Sequence, residues 1–246
     1  VAVLGSLHER LIPHMMEPVL LSEFLIRSID QGGYTGVLAL NGLFVLVTQH
    51  GLEYPAFYTR LYSLLRAETL TSGDRAKFFR LVDVFLRSPM VPAYVVAAFI
   101  KRFARLALRG PPAGALLSLA FVHNLLRRHQ PCVVLLHRPA AADGDEERFA
   151  RDPFDEHADV PADTGALESS LWEVGALAQH YSPDVRRFAN AFQRDFSKRH
   201  KFPEIDIEPL LSQGYSSMLR RELRKRPKNA ALAFYKEPLK QLLADG

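Results

Sequence analysis

The segment PAYVVAAFIKRFARLALRGPPAGALLSLAFVHNLLRRH, residues 92–129, reads as two helices folded back on each other at a Gly-Pro-Pro corner. Pro92 supplies a fixed φ at a helix start, and Val95, Ala98, Phe99 and Leu106 carry the apolar stripe of the first helix. Gly110 ends that helix, and Pro111 and Pro112 open a second running from Ala113 to His129. A corner this short between two helical patterns forces antiparallel neighbours, which makes the chain a stack of helices.

Working outward, the same pattern recurs. Glu17 to Asp30 and Tyr34 to His50 read as two helices split by Gln31-Gly32-Gly33. Tyr54-Pro55 opens another, with Tyr54, Tyr58 and Tyr62 in an i, i+4 row beside Phe57, Leu61 and Leu64. Asp74 is placed to cap the next, whose apolar members are Phe78, Leu81, Val82 and Phe85, and Ser88-Pro89 ends it. In LESSLWEVGALAQHYSPDVRR, residues 167–187, Leu167, Leu171, Val174, Ala178 and Tyr181 step at helical spacing and Trp172 widens the stripe. Ser170 and Glu173 have capping-box spacing; Ser182 caps a further helix with Pro183 at its first position and Asp184 in its first turn. No alternation of useful length points to a strand. The expectation is an all-α fold: a HEAT/armadillo-like α-solenoid or irregular helical-repeat array with an acidic insert. Residues 1–137 form the repeat body, 138–165 the insert, and 166–246 C-terminal helices and a basic tail that pack on the body as one domain.

At 246 residues, with 48% hydrophobic and 24% charged side chains, the chain has the composition of a folded protein. The one cysteine, Cys132, rules out a disulfide framework and a thiolate metal cluster, which favours a reducing compartment. The richest apolar run, Val37 to Val47, is broken by Asn41-Gly42 and falls short of the roughly 20 residues of a membrane span, so no membrane partner is expected. The sequence opens on Val1 within a helical pattern, as a fragment of a longer protein does.

The net charge of +4 conceals a division. Residues 1–137 carry 14 basic and 8 acidic side chains, residues 138–168 carry 3 and 10, and residues 186–228 carry 12 and 5. The acidic, Ala/Pro/Gly-rich stretch Pro139 to Gly165 has too little apolar surface to offset its ordering entropy, so a mobile or partner-ordered loop is expected. An EF-hand loop counted from Asp143, with Asp145 and Glu146, needs glycine sixth and glutamate twelfth; Arg148 and Phe154 stand there, so no calcium site is assigned. Lys101, Arg105 and Arg109 recur every four residues on the face opposite the apolar stripe, beside Arg102, and Arg127-Arg128 closes the following helix. Arg186, Arg187, Arg194, Lys198, Arg199 and Lys201 form a second cluster, and Arg220, Arg221, Arg224, Lys225, Arg226 and Lys228 a third. A phosphate backbone fits such rows, whereas an ordinary solvated helix face also carries them. Trp172, Tyr54, Tyr58 and Tyr62 are the candidate structural or partner anchors.

Catalytic constellations are missing from the sequence. Cys132 sits in an apolar run, as a buried structural thiol does. No nucleophile elbow, phosphate-binding glycine loop or paired-histidine metal motif occurs, and His123, His129 and His137 are spaced too widely to chelate from one helix face. No catalytic residue, cofactor or metal is assigned.

Several blocks carry a resemblance: ALNGLF at 39–44, LEYPAFYTRLYSLL at 52–65, RAKFF at 75–79, PAYVVAAF at 92–99, DPFD at 152–155 ahead of the Leu171-Trp172-Glu173 block, and Glu222-Leu223, a basic stretch and ALAF ending at Phe234. In this order they resemble the CCAAT-binding-factor/nucleolar-complex family over nearly the whole chain. Ser182 departs from the histidine or asparagine expected there, and Phe202 to Leu211 is looser than the family pattern. The resemblance implies a nucleolar, non-enzymatic scaffold of the small-subunit processome, which assembles and processes the precursor of the small ribosomal subunit. It further implies a stable pair with nucleolar protein fourteen, other processome proteins as partners, and contacts to the precursor rRNA backbone. The alternative from the residues alone is a helical-repeat nucleic-acid-binding or transport adaptor in which the basic rows are primary.

Overall fold

The computed structural model describes residues 2–54, 56–73, 75–137, 152–194, 196 and 203–224, and among these every regular element is helical. In chain order the α-helices are α1 (Ala2–Ser6), α2 (Ser22–Asp30), α3 (Gly33–Gln49), α4 (Phe57–Leu64), α5 (Ala67–Thr71), α6 (Arg75–Phe85), α7 (Ala93–Arg109) and α8 (Pro112–Arg128). After them come α9 (Trp172–Leu177), α10 (Pro183–Ala191), α11 (Glu208–Leu211) and α12 (Tyr215–Arg224). The chain divides into two compact units, Val1–Gln213 and Gly214–Gly246.

In the first unit the centre is the α7–α8 pair. α8 is buried from Pro112 to Leu126, on every side, as a helix apolar all round must be. The pair meets through Phe103 and Phe121, whose rings stack with centroids 4.7 Å apart, and Phe79 of α6 lies against both. Outward from this pair, α6 carries α5 and α3, α3 carries α1, α2 and α4, and α11 bridges α6 and α8. On the other side α10 packs on α8, and α9 and the turns at 161–168 pack on α7. The turn between α2 and α3 needs glycine: Gly32 and Gly33 have φ of 67° and 55°, a region that side-chain-bearing residues avoid.

Cross-chain ion pairs fix the later segments to these helices. Arg80 of α6 grips Glu208 of α11 with two hydrogen bonds of 2.7 Å. Arg128 spans Asp83 and Glu204, and Asn124 exchanges two hydrogen bonds with the backbone of Ile205. In the second unit α12 is described; it buries none of its residues.

Several boundaries differ from the sequence reading. The segment expected as one helix from Glu17 begins as a 3-10 turn, Pro18–Leu21, and becomes α-helical at Ser22. Tyr54 precedes α4, which starts at Phe57, so the tyrosine row begins outside the helix. The caps assigned to Pro55 and Asp74 fall outside the described residues. Leu167 to Tyr181 is not one helix: a 3-10 turn, Ala166–Glu168, is separated from α9 by Ser169–Leu171. The break has a cause, since the Leu171 N–H donates to Leu135 O at 2.9 Å, which takes that donor out of any helical ladder, while the neighbouring Ser170 O is turned toward Lys101. Ser182 does stand at the cap position of α10 with Pro183 next, yet its side chain makes no cap bond; its N–H donates to His180 Nδ1 at 3.0 Å.

The stacked Phe103–Phe121 pair carries the α7–α8 contact. Phe103→Ala is expected to lower stability by about 3–5 kcal/mol, because the surrounding helices cannot collapse into the void. Urea denaturation followed by circular dichroism measures this.

Candidate functional site

α7 presents Lys101, Arg102, Arg105 and Arg109 along one side, and that side is covered. The acidic stretch expected to be mobile to Gly165 is ordered from Asp152 onward, and its Asp152 and Glu156 carboxylates lie on these cations; residues 138–151 are outside the described set. Lys101 has no exposed surface and gives all three of its N–H groups away: to Glu173 Oε1 at 2.6 Å, to Ser170 O at 2.8 Å and to Asp152 Oδ2 at 3.1 Å. Arg105 donates to Asp152 Oδ2 at 2.6 Å, and its Nε stands 2.9 Å from Glu173 Oε1 as an ion pair. Arg109 forks onto Glu156 at 2.8 and 2.9 Å. Arg102 lies 3.9 Å over the Tyr62 ring and donates to Tyr62 O at 2.9 Å and Glu156 O at 3.3 Å.

Asp152 is the hub of this cluster. Its Oδ2 also accepts from Trp172 Nε1 at 2.8 Å, while its Oδ1 accepts from the Phe154 N–H at 3.1 Å and from Ser169 Oγ. Burial pushes its carboxyl up, but the bonds from Ser169, Trp172 and Phe154 and the Lys101 charge outweigh that and hold it at about 2. Glu173 has no exposed surface, and burial pushes its carboxyl up against the opposing pull of Lys101 and Arg105. The buried Phe154 ring lies 5.3 Å from Lys101 Nζ, and Arg105 lies 4.6 Å from the Trp172 ring. The loop itself closes where the Asp155 N–H meets Thr164 O at 2.9 Å. There Gly165 has φ of 63°, and a Cβ on it would stand 2.8 Å from Pro153 O, so only glycine lets the loop shut.

The cluster is a clamp and lacks the features of a reactive centre. The Lys101 amine is fully donated and Asp152, held at about 2, is ionised at neutral pH, so both serve to hold the contact together. Elsewhere Cys132 is buried, its thiol pushed up to about 12 by burial, with Sγ 3.5 Å from Ala93 O. His123 packs against Phe192 and Phe196 beside Asn124, His129 Nε2 lies 2.9 Å from Leu86 O, and His137 Nε2 lies 3.3 Å from Arg194 O, so each histidine has its own structural partner.

The residues assigned to phosphate contact therefore separate. Lys101 and Arg105 are corrected: they lie under carboxylates, their charge already matched, and Arg109 shares Glu156 although its side chain is mostly exposed. Arg127 and Arg128 are likewise held by Glu204. Arg194, with Arg186 and Arg187, is exposed along and beyond α10, and Arg220, Arg221 and Arg224 are exposed on α12. Lys198, Arg199, Lys201, Lys225, Arg226 and Lys228 lie outside the described residues. Among the anchors, Tyr62 is fully buried and its hydroxyl is pushed up to about 12 by burial, so it belongs to the core. Tyr54 and Tyr58 line an apolar groove of about 360 Å³ with Phe44, Tyr94 and Pro161. Trp172 is 44% exposed, so its truncation removes a bond to Asp152 and a face for Arg105 without opening a core cavity.

Two members of the cluster escaped the reading of charge patterns. Lys101 follows Ala97 by four and precedes Ala104 by three, which places it on the buried stripe; that spacing was the signal available. Glu173 was assigned to a capping box and is instead the buried partner of Lys101.

The sequence signature of the CBF/Mak21 family covers residues 36–189, a span that includes α7, α8 and the whole clamp. The Xenopus laevis protein named Nucleolar complex protein 4 homolog A is 46% identical over 241 residues, 98% of this chain and 44% of the relative. The human Nucleolar complex protein 4 homolog is 45% identical over 233 residues, 94% of this chain and 43% of the relative. The Arabidopsis thaliana Protein NUCLEOLAR COMPLEX ASSOCIATED 4 is 40% identical over 261 residues, 99% and 45% of the two chains. The chain thus spans less than half the length of these relatives.

The low carboxyl of Asp152 sets a pH dependence. Its folded value of about 2 lies below the ordinary 3.8, so the stability it adds is complete above about pH 4 and is lost as pH falls toward 2. Asp152→Asn is expected to cost about 2 kcal/mol at neutral pH, the scale of hydrogen bonds to a charged group. Urea titrations of both proteins from pH 7 to pH 2 are expected to converge at the acid end; a gap independent of pH would contradict the assignment.

Proposed function

The chain belongs to the CBF/Mak21 family, and from that premise we propose that it is part of a non-catalytic nucleolar scaffold that works in assembling the small ribosomal subunit. In this reading it sits in the small-subunit processome, takes part in precursor-rRNA processing, and pairs stably with nucleolar protein fourteen among other processome proteins. The observation that carries the reading is the extent of the likeness: relatives named as nucleolar complex proteins align with 94% to 99% of the chain.

The geometry supports a scaffold in two ways. The cluster richest in charge is spent on holding helices together, and the aromatic groove at Tyr54 and Tyr58 is shaped for apolar side chains of a protein partner. The successive antiparallel pairs α2–α3 and α7–α8 are consistent with an irregular helical-repeat array. Among the described residues no helix is long and apolar enough to cross a membrane.

The second reading, a nucleic-acid-binding or transport adaptor, draws on the exposed arginines of α10 and α12. Salt separates the two. Phosphate-dominated binding weakens steeply between low and high salt, whereas a large apolar interface persists. In a pull-down of the tagged chain from nucleolar extract, the scaffold reading predicts that nucleolar protein fourteen stays bound through a high-salt wash. Loss of every protein partner in that wash, with RNA retained at low salt, would favour the adaptor.

A further inference from the structure

We propose that Tyr181 and His180, together with the arginines of α10, form a binding site for unpaired RNA, the two rings serving as a stacking platform for a base and the arginines as its phosphate contacts. This rests on the reading of the chain as an RNA-associated scaffold and goes beyond it by naming the site and the form of RNA it takes.

The rings are already arranged. His180 and Tyr181 stack with centroids 4.3 Å apart and planes inclined by 29°, and Tyr181 is 74% exposed. An exposed aromatic ring normally has rotational freedom to lose on binding; here the stack and the Ser182 N–H bond to His180 Nδ1 at 3.0 Å have already restricted it. The Ser182 N–H bond needs His180 Nδ1 as an acceptor, and burial lowers the His180 pKa in the same sense, so the ring serves as the second layer of the stack. Nothing in the core needs Tyr181. The sequence pattern gave it the last position of a helical stripe, yet it lies beyond the end of α9, in the turn before α10.

The arginines beside it are uncovered, unlike those of α7. α10 turns Val185 and Ala189 inward, with Phe192 just past its end, and leaves Arg186, Arg187, Asn190 and, beyond its end, Gln193 and Arg194 at the surface. The carboxylate placed nearest Arg187 is Asp184 at 3.9 Å, a long pair in which the arginine stays exposed, and among the described residues no ion pair is formed by Arg186 or Arg194. With Arg186 and Arg187 in the early turns and Arg194 past the far end, cationic groups run the length of a helix about 13 Å long at the usual 1.5 Å rise per residue. Positive charge tracking a backbone, with an aromatic face at one end, is the combination that binds single strands with little dependence on sequence. A duplex keeps its bases stacked inside and offers Tyr181 no face.

The test is fluorescence anisotropy of the full chain with a labelled, unstructured oligouridine and with an RNA duplex of equal strand length. Tyr181→Ala is expected to weaken oligouridine binding about tenfold or more, the scale of one lost base stack. Duplex binding should stay within about twofold, and Tyr181→Phe should bind oligouridine as the parent does. Arg186→Ala with Arg187→Ala should weaken both ligands and reduce the salt slope for oligouridine by about 1.4, at roughly 0.7 per phosphate contact. Matching circular dichroism melts establish that these surface variants are folded. Oligouridine binding unaltered by Tyr181→Ala, equal losses on both ligands, or no RNA binding by the parent chain would overturn the proposal. None of these outcomes bears on retention of protein partners at high salt, so the scaffold reading stands or falls separately.

Discussion

A lysine ammonium with no exposed surface sits in the middle of α7, and the chain must answer it. Removing an ion of this size from water costs several kcal/mol even after relaxation, and only close, well-directed counter-charge repays that cost. Glu173 and Asp152 supply the charge and Ser170 the third acceptor. These groups come from residues far along the sequence, so satisfying Lys101 fixes where the chain returns after residues 138–151. The break between the turn at 166–168 and α9 lies beside this contact, where the Leu171 N–H, which a continuous helix would need, goes instead to Leu135 O.

The same constraint resolves the division of charge. The basic rows of α7 and the acidic stretch behind them are two halves of one contact, and they cancel locally. Exposed positive charge is left on α10 and α12 instead, where Arg186, Arg187, Arg220, Arg221 and Arg224 all stand at the surface. Counting cations along a helix therefore overstates the phosphate-binding surface when an acidic segment lies elsewhere in the chain. A helical chain built this way uses its strongest electrostatics for internal registration, which leaves the groove at Tyr54 and Tyr58 and the surface of α10 uncovered by that contact.

Much of the helical order was readable from the residues. The α7–α8 corner followed from Gly110-Pro111-Pro112 because backbone chemistry at that site is local. The start of α10 at Pro183 was readable for the same reason. What sequence spacing could not supply was long-range pairing. Lys101 looked like part of an exposed row because its i+4 neighbours are arginines, and Glu173 looked like a capping partner because Ser170 stands three residues before it. Both local patterns were overruled by a contact across 72 residues of chain. The ordering of Asp152 to Thr164 was missed for a related reason: composition measures how little apolar surface a segment has, and this one is held by charge, one buried ring at Phe154 and the Gly165 turn. The DPFD block, noted for its family likeness, was the trace of that contact in the sequence.

The central claim, that the buried Lys101–Glu173 pair holds the second half of the unit to α7, is tested most directly by a double-mutant cycle in urea denaturation. Lys101→Met and Glu173→Leu alone are each expected to cost about 3 kcal/mol, because each takes from a buried charge its closest counter-charge and leaves only the longer pair to Arg105 or Asp152, while the double variant should recover most of the loss. Additive losses, with the double variant as unstable as the sum of the two single ones, would contradict the account.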